Sequence, residues 1–201
     1  MMSRPDTPAF RVAGVVLSGG ASRRMGTPKA LLSFPDGSTL AARQLDSLAA
    51  AGCSPCRIVT GAHHDEIAAV LGPERCIRNP DWSLGRASSL QAAVRALPDV
   101  SGWLFLPVDA AGIRPDTLRA LLDAAKNAPG DLWRPSPDGL PGFALYLPSS
   151  FAPSLLSLSP STPLDAWTRP RQRLLPLADP ALRRNLNTPA DWQSFLSALP
   201  S

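Results

Sequence analysis

The run Leu17-Ser18-Gly19-Gly20-Ala21-Ser22-Arg23-Arg24-Met25-Gly26-Thr27-Pro28-Lys29 puts glycines, two arginines and a lysine into one short loop. Glycine lets a backbone come close to a ligand. Arginine offers a rigid guanidinium fork and lysine a compact ammonium on a flexible stem. These residue types together suit a polyphosphate. Only two of the chain's 20 basic residues are lysines, and one of them, Lys29, stands in this loop. Two common phosphate loops do not fit. G-x-x-x-x-G-K-[ST] fails because five residues separate Gly20 from Gly26 and Thr27-Pro28 precede Lys29, and G-x-G-x-x-G is absent.

A second chemical feature is Asp109, which closes an apolar run over 102–107. A carboxylate facing a triphosphate suits Mg²⁺, which takes few protein oxygens and leaves the rest of its shell to phosphates and waters. The competing role for Asp109 is a turn or helix cap. Asn187 either completes that shell or, with Asn185, satisfies loop backbone. Gly61 either lets a strand end approach a base or ribose or serves an ordinary turn. Ser88 and Ser89 either touch the nucleotide or cap a helix. Trp82 is a lid contact or a packing residue, and His63 and His64 are expected at the surface.

These residues need elements to bring them together. Val12–Ser18 is almost wholly apolar, as a strand covered on both faces must be. Ser38 predicts the cap of a helix running to 51, with Gly52 at its end. A strand over 57–60, a helix over 64–71 and a strand over 75–78 follow. Ser88 or Ser89 opens a helix to 97. Then come a strong strand over 102–107 and a helix started by Pro115, with Leu118, Leu121, Leu122 and Ala125 as its buried stripe. Extended pieces over 131–134 and 143–147, a helical stretch over 149–156, an irregular segment, a strand near 174–177 and a last helix over 189–199 complete the chain. Alternating strands and helices predict an α/β fold with a mostly parallel sheet covered on both faces, in three layers, α/β/α. The expected organisation is one domain over 1–201 with a short tail at 1–10. Ligands in such sheets bind beyond the strands' carboxyl ends. The glycine loop, Gly61, Asn79 and Asp109 each follow a strand, so all four are expected on one edge.

The loop resembles the signature of the molybdenum-cofactor guanylyl- and cytidylyltransferases, the MobA/MocA-like family, whose pattern runs roughly L-A-[GA]-G-x-S-x-R-M-G-x-x-K-x-L-L. Here it spans Leu17 to Leu32, with Ser18 the one departure. Asn79-Pro80-Asp81-Trp82-Ser83-Leu84-Gly85-Arg86-Ala87-Ser88-Ser89-Leu90 is similar to a second family block, Leu104 to Asp109 to a third, and Asn185-Leu186-Asn187-Thr188-Pro189-Ala190-Asp191 to a fourth. The resemblance implies a Rossmann-like sheet of the nucleotidyltransferase type. It also implies a Mg²⁺-dependent reaction in which an acceptor phosphate attacks the α-phosphorus of a nucleoside triphosphate and pyrophosphate leaves. Carried over residue by residue, Arg24 and Lys29 are catalytic. Leu17, Ser18, Gly19, Gly20, Ala21, Gly26, Lys29, Gly61, Asn79, Ser88, Ser89 and Asp109 bind nucleotide, and Asp109 and Asn187 hold the metal. Gly19-Gly20 resembles the guanylyl members and favours GTP, whereas the block over 79–90 is closer to the cytidylyl side. The implied acceptor is a small phosphorylated molecule, molybdopterin first. A sugar 1-phosphate or other phosphometabolite is one alternative, and nucleotide binding without transfer is another. Three departures bear on the acceptor. Ala110-Ala111 follows Asp109 where Gln-Pro or Met-Pro is usual, Arg86 replaces Met or Gln, and 159–167 lacks a G-D-x-G-A-R-like stretch.

Composition narrows the remaining classes. The chain has 201 residues, 44% hydrophobic and 18% charged, with a net charge of +4. The arginines are scattered rather than concentrated in a stripe with interleaved aromatics, so no nucleic-acid partner is expected. No apolar run approaches the ~18 residues of a membrane span, and 1–10 lacks an apolar signal core. Three cysteines without an export signal fit the reducing cytoplasm. Cys53-Ser54-Pro55-Cys56 lies between a helix end and a strand start, the reverse of a redox Cys-x-x-Cys, so structural thiols are expected. A monomer is expected.

Overall fold

In the computed structural model, residues 10–199 are described; most of the expected tail lies outside them. The elements in chain order are β1 Val12–Ser18, α1 Leu40–Ala51, β2 Cys56–Thr60, α2 His64–Leu71, β3 Cys76–Arg78, α3 Arg86–Ala96, β4 Gly102–Pro107, α4 Pro115–Asn127, β5 Leu132–Ser136, β6 Leu145–Pro148, α5 Ala152–Leu156, α6 Leu164–Thr168, β7 Gln172–Pro176 and α7 Pro189–Ser197. The strands form one seven-stranded sheet in the order β3-β2-β1-β4-β6-β5-β7. β6 runs antiparallel to both of its neighbours, and the other strands are parallel. The expected α/β sheet is therefore present.

Period-two side-chain alternation explains why the central strands are apolar throughout. From β1 and β4, Val12, Val16, Leu104 and Leu106 point into a core shared with α1, α2, α4 and α7. Ala13, Val15, Trp103 and Phe105 point into a second core shared with α3, α5 and α6. Trp103, Leu104, Phe105 and Leu106 are each about 1% exposed or less, so β4 is sealed on both faces. Helices cover both sides, which makes the three layers.

Several local expectations change. The cap of α1 is Thr39, whose hydroxyl accepts from Ala42 N at 3.2 Å. Ser38 instead donates to Asp36 at 2.6 Å and accepts from Arg43 at 2.7 Å. Gly52 ends α1 at φ 110°, a left-handed conformation that glycine adopts without a Cβ clash. α3 starts at Arg86, before the serines, and Gly85 precedes it at φ 135°. Ser88 and Ser89 are therefore inside the first turns, and the Ser88 hydroxyl donates back to the Gly85 carbonyl at 2.8 Å. The segment expected to be irregular contains α6. It is five residues long, too short to show a helical period against flanking prolines.

Candidate active site

The loop between β1 and α1 is shaped by its own backbone before it meets any ligand. Met25 N and Gly26 N donate to the Ser22 carbonyl at 2.9 and 3.2 Å, and Ser22 Oγ accepts from Lys29 N at 3.2 Å. Ser22 has φ 47° and Gly26 φ 77°, so the turn uses two left-handed residues. Met25 is buried and anchors it.

Neighbouring strands then hold the loop from outside. Ala62 N donates to the Gly19 carbonyl at 3.2 Å. A Cβ at Gly61 would collide with that carbonyl and with the Trp82 side chain. Gly61 thus serves close packing beneath Trp82 and is not part of the cleft lining. Asn79 is buried and donates to Ser88 Oγ at 2.9 Å and Ser89 Oγ at 3.1 Å, which fixes both hydroxyls. His63 and His64 are half-buried rather than merely on the surface. His63 Nε2 lies 3.2 Å from the Ala21 carbonyl and Nδ1 2.8 Å from Glu66. These two contacts, the Glu66 bond foremost, raise its pKa. His64 Nδ1 lies 2.6 Å from the Thr60 hydroxyl.

The result is a cleft of about 400 Å³ beyond the carboxyl ends of β1 and β4, within the usual range for a small-molecule site. Of the expected nucleotide residues, Leu17, Ser18, Gly19, Gly20, Lys29, Ser89 and Asp109 line it. Ala21, Gly26, Gly61, Asn79 and Ser88 are not part of that lining. Arg23, Arg24, Lys29 and Arg86 bring four cations to the cleft against the single carboxylate of Asp109.

Three segments meet on one ammonium. Lys29 Nζ lies 3.0 Å from Asp109 Oδ2 and donates to Asn187 Oδ1 at 2.9 Å. Arg24 Nη2 donates to the same Asn187 oxygen at 3.1 Å. The expected catalytic pair and the expected metal pair therefore share one rim of the cleft. Asn187 arrives there because α7 begins with a capping box: the Thr188 hydroxyl accepts from Asp191 N, and Asp191 Oδ2 accepts from Thr188 N. The same carboxylate oxygen accepts from Asn187 N at 2.9 Å. Leu186 N donates to the Asp109 carbonyl at 3.0 Å, tying this segment to the end of β4. The positioning role of Thr188 and Asp191 was not anticipated, although Thr-Pro-Ala-Asp is itself a capping-box pattern.

The donor chemistry fits a hard divalent ion. Two oxygens, Asp109 Oδ2 and Asn187 Oδ1, converge on the Lys29 ammonium, and the same pair would serve a metal ion. Among the described residues no group of three or more His, Cys, Asp or Glu could form an all-protein cage. Mg²⁺ uses such sparse sites, taking its other oxygens from phosphates and water. The cysteines offer no second centre. All three are free thiols, and burial pushes Cys53 up to about 12, with Cys56 adding to the shift.

The chain is similar in sequence and fold to several known proteins. The pattern of the MobA-like NTP transferase domain matches residues 14–175. A probable molybdenum cofactor guanylyltransferase of Rhodopirellula baltica is 32% identical over 196 residues, covering 89% of this chain and 88% of that protein. Nicotine blue oxidoreductase of Paenarthrobacter nicotinovorans is 37% identical over 120 residues, and the match spans 58% of each chain. The fold is shared with Rv0371c of Mycobacterium tuberculosis H37Rv, at a TM-score of 0.77 and 23% identity over 94% of this chain and 100% of that one. A manganese complex of Rv0371C aligns at 0.69 and 19% identity, covering 94% and 100%. With the family pattern running from within β1 into β7 and a relative matched along nearly its whole length, the chain belongs to the MobA-like NTP transferase family.

Proposed function

We propose that this enzyme transfers a nucleoside monophosphate from a nucleoside triphosphate to a phosphorylated acceptor, with GTP favoured over CTP, Mg²⁺ as the ion and molybdopterin as the first acceptor. The observation that carries the proposal is the meeting of Lys29, Asp109 and Asn187 within 3.0 Å contacts on the rim of a cationic cleft. The name of the R. baltica relative supports the acceptor, and the manganese complex supports a divalent ion. The reading includes a cytoplasmic enzyme acting as a monomer, built as one domain; no helix among the described residues is long and apolar enough to cross a membrane.

In the reaction an acceptor phosphate oxygen bonds to the α-phosphorus, the bond from that phosphorus to the bridging oxygen breaks, and the electron pair leaves with pyrophosphate. Such transfers depend on positioning and charge neutralisation more than on covalent help. Backbone N–H groups at Gly19 and Gly20 face the phosphates. Lys29 and Arg24 offset charge growing on the α-phosphate and on the leaving group. Asp109 and Asn187 would hold the ion. When bound, that ion acts as a Lewis acid on phosphate oxygens.

Arg86 favours a second reading with the same chemistry and another phosphometabolite as acceptor, because it lines the cleft where family members carry Met or Gln. Pyrophosphate release from GTP, CTP, UTP and ATP, each with Mg²⁺ and molybdopterin, then with sugar 1-phosphates, separates the two. A chain that binds nucleotide but releases no pyrophosphate with any acceptor is a nucleotide-binding protein, and both readings fall.

A further inference from the structure

A second cleft of about 500 Å³ adjoins the first, and Arg86 lines both. Its walls carry the guanidiniums of Arg86, Arg134 and Arg169 and one carboxylate, Asp165. Arg134, on β5, has a side chain only 11% exposed. Its Nε and Nη2 both donate to the Gly142 carbonyl, at 3.1 and 2.6 Å, so the group is pinned from behind. Its Nη1 donates to Asp165 Oδ1 at 3.1 Å. From the opposite wall, Arg86 Nη2 donates to Asp165 Oδ2 at 2.9 Å. One carboxylate thus bridges two guanidiniums that come from different elements.

The three partners differ in how firmly they are held. A buried guanidinium requires an oxyanion partner. Asp165 fills that need from the short helix α6, and its side chain is 48% exposed. Water and solute therefore reach Asp165, while Arg134 is fixed. Two guanidinium forks already spaced across a carboxylate will accept another oxyanion in its place. Gln172 and Asn185 add neutral polar side chains to the same cleft.

We infer that the acceptor carries a second anionic group besides the phosphate that attacks, and that this group displaces Asp165 from between Arg86 and Arg134. The inference rests on the transfer reaction proposed above, since it concerns the acceptor of that reaction. The substrate class is a metabolite with a phosphate at the end that enters the first cleft and an anionic group at the other end, between Arg86 and Arg134. Asp165 is the specificity-determining residue: an acceptor lacking the second anion cannot replace it.

The test uses inorganic phosphate as probe and the Nε–H signal of Arg134 as a local readout by NMR, assigned from its loss in Arg134→Gln. Phosphate is expected to shift that signal in the wild-type protein. Asp165→Asn, which keeps a hydrogen-bonding oxygen but removes the competing charge, is expected to tighten phosphate binding there by about fivefold, the scale of a partly exposed ion pair. Arg86→Gln, changed on the solvent side of the bridge, is expected to weaken it. An Arg134 signal that ignores phosphate, or an affinity unchanged in Asp165→Asn, overturns the inference. Titration of GTP with Mg²⁺ is read separately. If GTP fails to bind while Arg134 answers phosphate, the proposed function falls and the anion site stands; if GTP binds and Arg134 is silent, the anion site alone falls.

Discussion

Lys29 is the residue on which the cleft turns, because its one ammonium meets both Asp109 and Asn187. Lys29→Ala is expected to lower the turnover number by about 10² or more, the scale of losing one transition-state donor. Lys29→Arg should not restore it, since a planar fork does not replace a point charge at this junction. Near-normal pyrophosphate release in Lys29→Ala would refute the role. Asp109→Asn keeps the shape and removes the charge, so the Mg²⁺ concentration giving half-maximal rate is expected to rise; an unchanged metal titration would leave Asp109 a turn residue. Lys29 and Asp109 were legible in the chain because each sits in a distinctive local pattern. The bond from Arg24 to Asn187 was not, since 163 positions separate the two.

At the level of elements, the capping box of α7 is what delivers Asn187. Thr188→Ala is expected to cost about 1 kcal/mol, a typical cap loss, and to lower activity as well by loosening Asn187. Chemical denaturation and the pyrophosphate assay measure the two effects. The Asp191 carboxyl is held below its usual 3.8, first by the Asn187 N–H and then by the Thr188 N–H. A depressed folded pKa means that its contribution is whole above 3.8 and is lost as the pH falls through the lower, folded value. The stability gap between wild type and Asp191→Asn should therefore close on acidification; a gap independent of pH would mean the carboxylate charge is irrelevant. Gly61→Ala drives a Cβ into the Gly19 carbonyl and Trp82. Backbone cannot rotate away as a side chain can, so a loss of roughly 1–3 kcal/mol is expected, together with weaker nucleotide binding as the glycine loop shifts. Stability and affinity both at wild-type values would show that the loop has slack.

At the scale of the whole molecule, parallel strands bring their carboxyl ends to one edge, and the cleft lies across β1 and β4, neighbouring central strands of the sheet. Ligand bound to that edge is coupled to global stability. Nucleotide with Mg²⁺ at about 100 times Kd should add ~2.7 kcal/mol, which for a chain of this size raises Tm by roughly 5–10 °C. A thermal melt with each of the four nucleotides reads this directly. The nucleotide with the largest shift identifies the base, and no shift with any of them would mean that the cleft binds none.

The sequence by itself determined the strand–helix alternation, the two apolar faces of the central strands and the glycine loop with its lysine. Those features arise from nearest-neighbour chemistry: period-two and period-3.6 burial, and glycine where the backbone must turn or approach closely. Tertiary structure alone decided which residues line the cleft and which do not. Gly61 and Asn79 look like ligand contacts in the chain, yet one packs beneath Trp82 and the other orients two serines. It alone also decided that Arg86, Arg134 and Asp165 form one bridge. Their contact depends on how α3, β5 and α6 pack over the sheet, and no local spacing records the distance between segments that are far apart in the chain.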